Sequence, residues 1–331
     1  MTRTEDPRTA RPVVTVLGAS GFIGSALVAA LAPLPVTVRA VARWSGDVRL
    51  TAPGAGVEAR KADATVPGEL RAAVAGSDTV VDLLLPSAGW RAGGEEAERL
   101  TTGVVRDLVA WARTERHRPV VVFAGSVSQA GHPPRLPLDG SETDRPQGPY
   151  DRRKHEAELL LKAATADGTL RGVSLRLPTV YGTGPGGRCA DRGVLATMAR
   201  RALAEEPLTV WGDGGMERDL LHVRDAAAAF AAAVARPGPL CGGHWVIGTG
   251  EGRRLRDAFR AVADSVAARY GRPPVPVVSV PSPPAASETD MSGVVVDASA
   301  FTAVTGWRAE VPFHDGLDRL VGALARERRL G

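Results

Sequence analysis

The chain alternates short runs of β-branched residues with stretches in which apolar residues recur at helical spacing. Six such runs from Pro12 onward predict strands: PVVTVL, VTVRAVAR, VEARKAD, TVVDLLL, PVVVFAG and GVSLRL. Helical stretches separate most of these runs, and the longest extends from about Glu95 to Thr114. Alternation of this kind implies right-handed crossovers, so it predicts an α/β fold with a doubly wound parallel sheet.

The pattern changes after Arg176, where glycine- and proline-rich pieces such as YGTGPGG and WGDGGMERD interrupt it. The helix DAAAAFAAAVARP and the strand GGHWVIGTG then return to the earlier alternation, and the proline-rich segment 273–290 predicts an extended loop. We therefore expect two domains. The first covers residues 12–178 with a return segment at about 225–248, and a smaller C-terminal α/β domain covers residues 179–224 and 249–331.

A glycine-rich turn joins the first strand to the first helix, with the sequence Gly18-Ala-Ser20-Gly21-Phe22-Ile23-Gly24. The first glycine permits a tight turn, the second lets a pyrophosphate approach the backbone, and the third lets helix and strand pack closely. The N-terminus of the following helix offers unpaired N–H groups to the phosphates. The turn therefore predicts a Rossmann-like site for a dinucleotide, to which all of these residues except Ala19 are assigned.

The end of the second strand indicates which dinucleotide binds. An acidic residue there would bind the ribose 2′-hydroxyl of NAD and repel a 2′-phosphate. The strand instead ends in Arg43, with no acid before Asp47, and a guanidinium is suited to a 2′-phosphate. We therefore expect NADPH rather than NADH, with Asp63 after the third strand placed to meet the adenine.

Tyr150 and Lys154 lie four residues apart at the start of a predicted helix, so they share one face of it. A nearby cation lowers the pKa of a phenol, so we expect the pKa of Tyr150 to lie below about 10. Ser126 ends the preceding strand, where the ligand crevice of such a sheet lies. The three residues predict a site in which Ser126 holds a carbonyl oxygen and Tyr150 donates a proton to it.

Composition and charge exclude several other classes of protein. The 41 basic and 37 acidic residues are interspersed, with a net charge of +4 and only 5% aromatics, unlike a typical nucleic-acid-binding domain. No apolar run reaches the roughly 18 residues that a membrane span needs. The two cysteines, Cys189 and Cys241, form neither a disulfide framework nor a CxxC metal motif. We expect a cytoplasmic protein without a metal.

Together these motifs resemble the extended short-chain dehydrogenase/reductases that act on nucleotide sugars. GASGFIG and YDRRK carry the resemblance with LRLPTVYGTGPG at 175–186, WGDGGMERDLLHVRDAA at 211–227 and TGWRAEVPFHDGL at 305–317. In that family the arginine matching Arg218 binds the substrate diphosphate. The resemblance further implies that Lys154 holds the nicotinamide ribose. Family members are often dimers, so a homodimer remains open beside a monomer.

Departures from the family pattern favour one subtype, the 4-ketoreductases of dTDP-4-keto-6-deoxyhexoses. The family's 4,6-dehydratases carry Thr-Asp-Glu where this chain has Ser126-Val127-Ser128, which excludes the dehydratase reaction. Leu100 and Thr179 stand where family members commonly have asparagine. The expected substrate-binding residues follow the fourth and fifth strands or lie in the second domain: Ser87, Trp90, Ser128, Thr179 and Arg218.

Two alternatives stay open at this point. A nucleotide-sugar 4-epimerase or dehydrogenase would use the same fold with tightly bound NAD, although the acid usual after the second strand in epimerases is missing here. A regulator that senses a dinucleotide without catalysis would also use this fold. Such regulators typically lose the tyrosine–lysine pair, which this chain retains as Tyr150 and Lys154.

Overall fold

The computed structural model describes residues 11–43, 56–86, 89, 93–133, 135–185, 193–283 and 292–330. Its strands are β1 (Val13–Leu17), β2 (Thr37–Ala42), β3 (Val57–Lys61), β4 (Thr79–Asp82), β5 (Val120–Ser126), β6 (Arg171–Leu177), β7 (Thr179–Tyr181), β8 (Leu208–Trp211), β9 (Glu217–His222), β10 (His244–Val246), β11 (Gly252–Arg254) and β12 (Val277–Val280). Its helices are α1 (Phe22–Leu31), α2 (Pro67–Val74), α3 (Gly94–Glu98), α4 (Val104–Ala112), α5 (Pro149–Ala166), α6 (Val194–Leu203), α7 (Val223–Ala235), α8 (Leu255–Tyr270), α9 (Ser299–Thr305) and α10 (Phe313–Leu330).

Seven strands form one sheet in the order β10-β6-β5-β4-β1-β2-β3, and every neighbouring pair is parallel. The predicted doubly wound, Rossmann-like fold is therefore confirmed. The strand order reverses between β1 and β4, and ligands of such sheets bind beyond the carboxyl ends of the strands at that point. The crevice that matters here lies at the ends of β1, β4 and the adjacent β5.

Helices cover both faces of this sheet because the strands are apolar on both sides. On one face α1 and α7 pack over the sheet through residues such as Leu27 and Phe230. On the other, α2, α4 and α5 pack through residues such as Leu108 and Leu161. Both α7 and β10 belong to the returning part of the sequence, and they complete this layered structure.

The C-terminal part has an apolar cluster of its own, in which α6, α8 and α10 pack together with Tyr181 and β8. Two small sheets flank it: β9 lies between β11 and β7, and β8 pairs with β12. The expectation of an extended loop over 273–290 is wrong for Val277–Val280, which form β12 in parallel with β8. Its two end residues are half-buried and its two middle residues are exposed, so the proline-rich flanks there bound an edge strand rather than replace one.

The predicted long helix also differs in detail, because a π-helical turn over Arg99–Gly103 separates α3 from α4. Arg99 extends from this turn to the carbonyl oxygen of Thr65 at 2.8 Å and pairs with Asp107. A side chain at Gly103 would collide with its guanidinium. Within the described residues, no helix is long and apolar enough to cross a membrane.

Candidate active site

The glycine turn closes tightly over the end of β1. Gly18 has a φ of +80°, which favours glycine, and the N–H of Gly21 donates to the carbonyl oxygen of Gly18 at 2.9 Å. A Cβ at Gly24 would overlap that same oxygen, so only glycine lets α1 begin so close to the turn. No side chain caps the N-terminus of α1. Its first N–H groups therefore face the crevice, where an anion would bind them favourably.

Arg43 and Asp63 lie next to each other beyond the ends of β2 and β3. Arg43 is exposed. Hydrogen bonds from the hydroxyl and N–H of Thr65, at 2.7 and 2.9 Å, lower the pKa of Asp63, and the charges of Arg43 and Arg99 lower it further. The carboxylate is thus ionised and fixed within its own turn, beside an exposed guanidinium. The roles of both residues toward a dinucleotide remain predictions.

Ser126 and Tyr150 meet in the crevice as expected from their positions at the end of β5 and the start of α5. A hydrogen bond joins their side chains. The Ser126 hydroxyl also lies 2.7 Å from that of Ser128, and the N–H of Ser128 points to it at 3.3 Å. Three hydroxyl groups therefore form one connected cluster at the sheet edge. The cluster can hold a carbonyl oxygen between a hydrogen-bond donor and a proton donor.

The expected low pKa of Tyr150 is wrong for this structure. Burial of its hydroxyl and, to a lesser extent, the charge of Asp151 raise the pKa to about 12, because the hydrogen bond with Ser126 and the charge of Arg153 only partly offset them. The side chain as a whole is half-buried, while its hydroxyl end is desolvated. Desolvation disfavours the phenolate, so Tyr150 keeps its proton at neutral pH.

Lys154 lies fully inside the protein, 3% exposed, directly behind this cluster. Its ammonium donates to the carbonyl oxygen of Ala124 at 2.8 Å and lies 4.6 Å from the centre of the Phe123 ring. Burial lowers its pKa to about 8, while the charge of Asp82 raises it and that of Arg153 lowers it. The ammonium is held against β5, and the charges that shift the pKa of the phenol are those of Asp151 and Arg153.

Asp82 is a residue of this crevice that the sequence analysis did not single out. It ends β4, is 1% exposed, and lies between Leu17 of β1 and Phe123 of β5 in the sheet. Its Oδ1 accepts from the N–H of Leu84 at 3.1 Å, and its Oδ2 has no hydrogen-bond partner among the residues that the structure describes. Burial raises its pKa to about 6, against the lowering effect of Lys154. A lone acid within the apolar run TVVDLLL was the available signal.

A buried hydrogen-bond network supports Ser126 from behind. The N–H of Ser126 donates to Oε1 of Gln129 at 2.9 Å, and Nε2 of Gln129 donates to Glu158 at 3.1 Å. Arg176 donates to Glu158 at 2.6 and 3.0 Å and to both oxygens of Asp144 at 2.6 and 2.7 Å. The backbone of Ser126 is therefore fixed by a chain of contacts that reaches α5 and β6. The spacing Ser-x-x-Gln, a capping box, was the sequence signal for its first link.

The predicted substrate residues lie in three places. Ser128 belongs to the hydroxyl cluster. Thr179 begins β7, two residues after the β6 residue Leu177 that pairs with Ser126. Arg218 is half-buried on β9, two residues before Leu220, which is the partner of Thr179. Ser87 and Trp90 lie outside the described residues, so their assignment remains a prediction.

The features needed to hold a dinucleotide are present in the chain. The glycine turn leaves backbone room beside Gly21, where an added Cβ would meet only the Gly18 carbonyl oxygen, at 3.1 Å. The uncapped N-terminus of α1 offers donors for phosphate groups. At the neighbouring strand ends lie the buried ammonium of Lys154, bonded to Ala124 of β5, and the buried carboxylate of Asp82 on β4. These residues fit a nicotinamide dinucleotide.

Fold and site thus define an α/β protein of the dinucleotide-binding, tyrosine–lysine type. Residues 14–248 match the model of the NAD dependent epimerase/dehydratase family, which is most of the chain. The chain belongs to this family, whose members are NAD(P)-dependent oxidoreductases and epimerases of sugar nucleotides.

Curated relatives include both epimerases and reductases. A UDP-glucose 4-epimerase of Azospirillum brasilense is 31% identical over 63% of this chain, and a 2'-dehydrokanamycin reductase of Streptomyces kanamyceticus is 31% identical over 66%. A dTDP-4-dehydro-6-deoxyglucose reductase of Escherichia coli is 22% identical over 62%. The matched region spans 61%, 56% and 61% of these three relatives, respectively.

The fold is also that of a solved structure from Bacillus cereus, a UDP-glucuronic acid 4-epimerase in complex with UDP-glucuronic acid and NAD. The TM-score is 0.82, with 20% identity, over 95% of this chain and 99% of the other. A likeness at this identity supports the architecture. Inferences about the reaction therefore rest on the residues of the crevice.

Proposed function

We propose that the protein reduces the C4 ketone of a dTDP-4-keto-6-deoxyhexose with NADPH, in the biosynthesis of the deoxysugars of antibiotics. The observation that carries the proposal is the cluster of Ser126, Ser128 and the protonated Tyr150. It offers a carbonyl oxygen hydrogen-bond donors and one proton, which a ketone reduction requires. Two reductases, of 2'-dehydrokanamycin and of dTDP-4-dehydro-6-deoxyglucose, stand among the relatives beside more numerous 4-epimerases, and the proposal follows the two reductases.

In the proposed reaction Tyr150 acts as the general acid. NADPH, when bound, supplies the hydride that reduces the C4 carbonyl carbon. The Tyr150 hydroxyl gives its proton to the carbonyl oxygen, so that the ketone becomes a secondary alcohol and the phenolate is left to regain a proton. Because burial raises the pKa of Tyr150 to about 12, the hydroxyl is protonated throughout the neutral range. Ser126 donates a hydrogen bond to the same oxygen and orients it.

Lys154 and Arg218 supply the binding contributions in this proposal. Lys154 holds the hydroxyls of the nicotinamide ribose from its buried position behind Tyr150. Arg218 binds the substrate diphosphate, for which a guanidinium offers paired donors. Binding energy from the nucleotide part thereby holds the ketone close to the proton donor. Thr179, Ser87 and Trp90 complete the expected sugar site.

The choice of NADPH over NADH rests on the end of β2. Exposed Arg43 stands beside Asp63, and the positive charge there is suited to a 2′-phosphate. The pyrophosphate and the adjoining ribose bind to the residues of the glycine turn: Gly18, Ser20, Gly21, Phe22, Ile23 and Gly24. Asp63 would then contact the adenine ring.

A 4-epimerase with tightly bound NAD is the main competing proposal, because an epimerase is among the most similar relatives. An epimerase first oxidises C4 and therefore needs a base that takes a proton from a hydroxyl. The end of β2 carries exposed Arg43 and no acid that would bind the ribose of NAD, which favours NADPH and the reductive direction. A dinucleotide-sensing regulator would have no use for the buried Tyr150–Lys154 site.

The test is a screen of dTDP-4-keto sugars with NADPH and with NADH, followed by absorbance and completed by NMR of the product at C4. We expect NADPH oxidation that depends on the ketosugar, with NADH less effective. The matched control is Tyr150→Phe, which keeps the ring and removes the proton donor.

Purified protein that contains tightly held NAD and interconverts C4 epimers without consuming NADPH would replace the proposal by the epimerase. Stoichiometric NADPH binding without turnover on any ketosugar would replace it by the regulator.

A further inference from the structure

Asp82 has no role in the reaction as described so far, although it is buried at the end of β4 within the same crevice. Within the described part of the chain, one carboxylate oxygen accepts from the Leu84 N–H and the other has no hydrogen-bond partner. An ionised carboxylate without compensation is costly in the protein interior. The position of Asp82 in the sheet, opposite Phe123 of β5, places it on the strand next to the one that Lys154 contacts.

Lys154 is the complementary group. Its ammonium has one carbonyl oxygen, that of Ala124, and the face of the Phe123 ring as neighbours. A buried ammonium is as unfavourable as a buried carboxylate unless an opposite charge compensates it. The charged groups that act on it come from two elements: Asp82 on β4 attracts it, and Arg153 on α5 repels it. Tyr150, on the same helix face, stays neutral.

We propose that Asp82 is a positioning residue that keeps the buried ammonium of Lys154 charged and fixed at the carboxyl edge of the sheet. The inference rests on the proposed role of Lys154 in holding the nicotinamide ribose. Burial lowers the pKa of Lys154 to about 8, although the charge of Asp82 raises it. Without that attraction, a substantial fraction of the lysine is neutral at physiological pH, and a neutral amine is a weaker donor to ribose hydroxyls.

The composition of the chain makes the charge of Lys154 directly measurable, because the sequence contains only three lysines, at positions 61, 154 and 162. Protein labelled with ¹³C at the lysine Cε therefore gives three NMR signals, and Lys154→Arg identifies the one from Lys154. We expect this signal to titrate near pH 8 in the wild type. In Asp82→Asn its pKa falls by about one unit or more.

The matched control is Asp78→Asn, just before β4 at the opposite end of the same strand, where the carboxylate accepts from the N–H of Val13 at 2.8 Å. It should leave the Lys154 titration unchanged. Asp82→Leu also removes the charge and should give the same shift as Asp82→Asn. Circular dichroism establishes that each variant is folded, and either Asp82 variant suffices for the test.

Affinity for NADPH, measured by fluorescence without sugar, provides the functional readout. Wild-type affinity should fall as pH rises through about 8, and the fall should begin at lower pH in Asp82→Asn. At neutral pH the variant should bind about two- to tenfold more weakly, for a fall in the Lys154 pKa of about one to two units. In a Lys154→Met background the substitution at Asp82 should have no further effect.

An unchanged Lys154 pKa in both Asp82 variants would overturn the inference, as would a weaker affinity that persists in the Lys154→Met background. The NMR titration needs neither cofactor nor substrate. It therefore distinguishes failure of this inference from failure of the proposed reaction, which the ketosugar screen tests separately.

Discussion

The two ends of α5 differ in how far their charged groups are compensated by hydrogen bonds and opposite charges. The crevice end comprises Tyr150 and Lys154 with their neighbours Ser126 and Asp82. The network end comprises Glu158 and Lys162 with Arg176 and Asp144. Both ends place ionisable groups on one helix face at four-residue spacing, with Lys154 and Glu158 buried and Tyr150 and Lys162 half-buried. They differ in how many partners each charged group has.

At the network end every buried charge is compensated. Burial raises the pKa of Glu158, but hydrogen bonds and charge from Arg176, with donors from Lys162 and Ser174, hold it well below its usual range. Its two oxygens accept from four side chains at 2.6 to 3.1 Å. His244 adds a contact to Lys162 at 2.7 Å.

At the crevice end burial prevails over pairing. The pKa of Tyr150 is raised to about 12, that of Asp82 to about 6, and that of Lys154 is lowered to about 8. Each shift disfavours the charged form, which is the effect of desolvation with too few partners. The comparison indicates that the network end stabilises the fold. The polar groups with few partners at the crevice end are typical of a binding or catalytic site, in agreement with the proposed function.

Tyr150→Phe is the sharpest test of that division. Removing the proton donor should lower kcat for ketosugar reduction by about 100- to 10,000-fold. NADPH affinity and the free energy of unfolding should change little, because the hydroxyl contributes one hydrogen bond with Ser126. Steady-state kinetics and fluorescence titration measure the two effects. Turnover within a few-fold of wild type would show that another group donates the proton.

Glu158→Gln should have the opposite outcome. Neutralising this residue leaves Arg176 and Lys162 buried or half-buried with one fewer countercharge, so we expect a loss of about 3 kcal/mol in the free energy of unfolding. Urea titration followed by circular dichroism measures it. The control is Glu156→Gln on the same helix, whose exposed pair with Arg106 should contribute less than about 1 kcal/mol. Equal stability of the two variants would contradict the assignment of the network end.

The pH dependence of stability should separate the two ends by sign. A depressed carboxyl pKa contributes stability above its unfolded value, here about 4.5, and that contribution is lost as pH falls. The stability difference between wild type and Glu158→Gln should therefore shrink below about pH 4.5.

Asp82 has a raised pKa, so its ionisation lowers the free energy of unfolding as pH rises from about 4 to about 6, by roughly 3 kcal/mol. Asp82→Asn should gain relative stability over that interval.

Unfolding of wild type and both variants in urea at about pH 3, 5 and 7 measures these differences. If the stability differences of Glu158→Gln and Asp82→Asn from wild type changed with pH in the same direction, the distinction between the two ends would be wrong. Comparison with wild type at each pH cancels the contributions of other titrating groups.

Much of the fold follows from local sequence patterns. Alternation of β-branched and helical stretches, with the glycine turn after Leu17, predicts the parallel sheet because each signal acts over a few residues. The same holds for the placement of Ser126 at a strand end and of Tyr150 and Lys154 on one helix face. The strand β12 was missed because its flanking prolines resemble a loop, while its pairing with β8 is a contact between distant segments.

The electrostatics of the site could not be predicted in this way. Spacing brings Lys154 near Tyr150 but does not show that its ammonium is held by Ala124 and attracted by Asp82. Burial raises the pKa of Tyr150, and the sequence did not predict this because burial depends on tertiary packing that no local pattern encodes. Likewise, Glu158 accepts from Ser174 and Arg176 of β6 and from Gln129 in the segment after β5, and only the fold brings them together.

Ser128→Ala should have the smallest effect and tests whether the hydroxyl cluster acts through Ser126. Its hydroxyl lies 2.7 Å from that of Ser126, whose backbone is already fixed by Gln129. Loss of one neutral hydrogen bond corresponds to about 1 kcal/mol, so we expect kcat/KM for the ketosugar to fall about fivefold. Ser141→Ala, an exposed serine in the following segment, is the control and should have no effect. A loss comparable to that of Tyr150→Phe would instead make Ser128 part of the proton transfer, and the division between proton donor and orienting hydroxyls within the crevice would have to be redrawn.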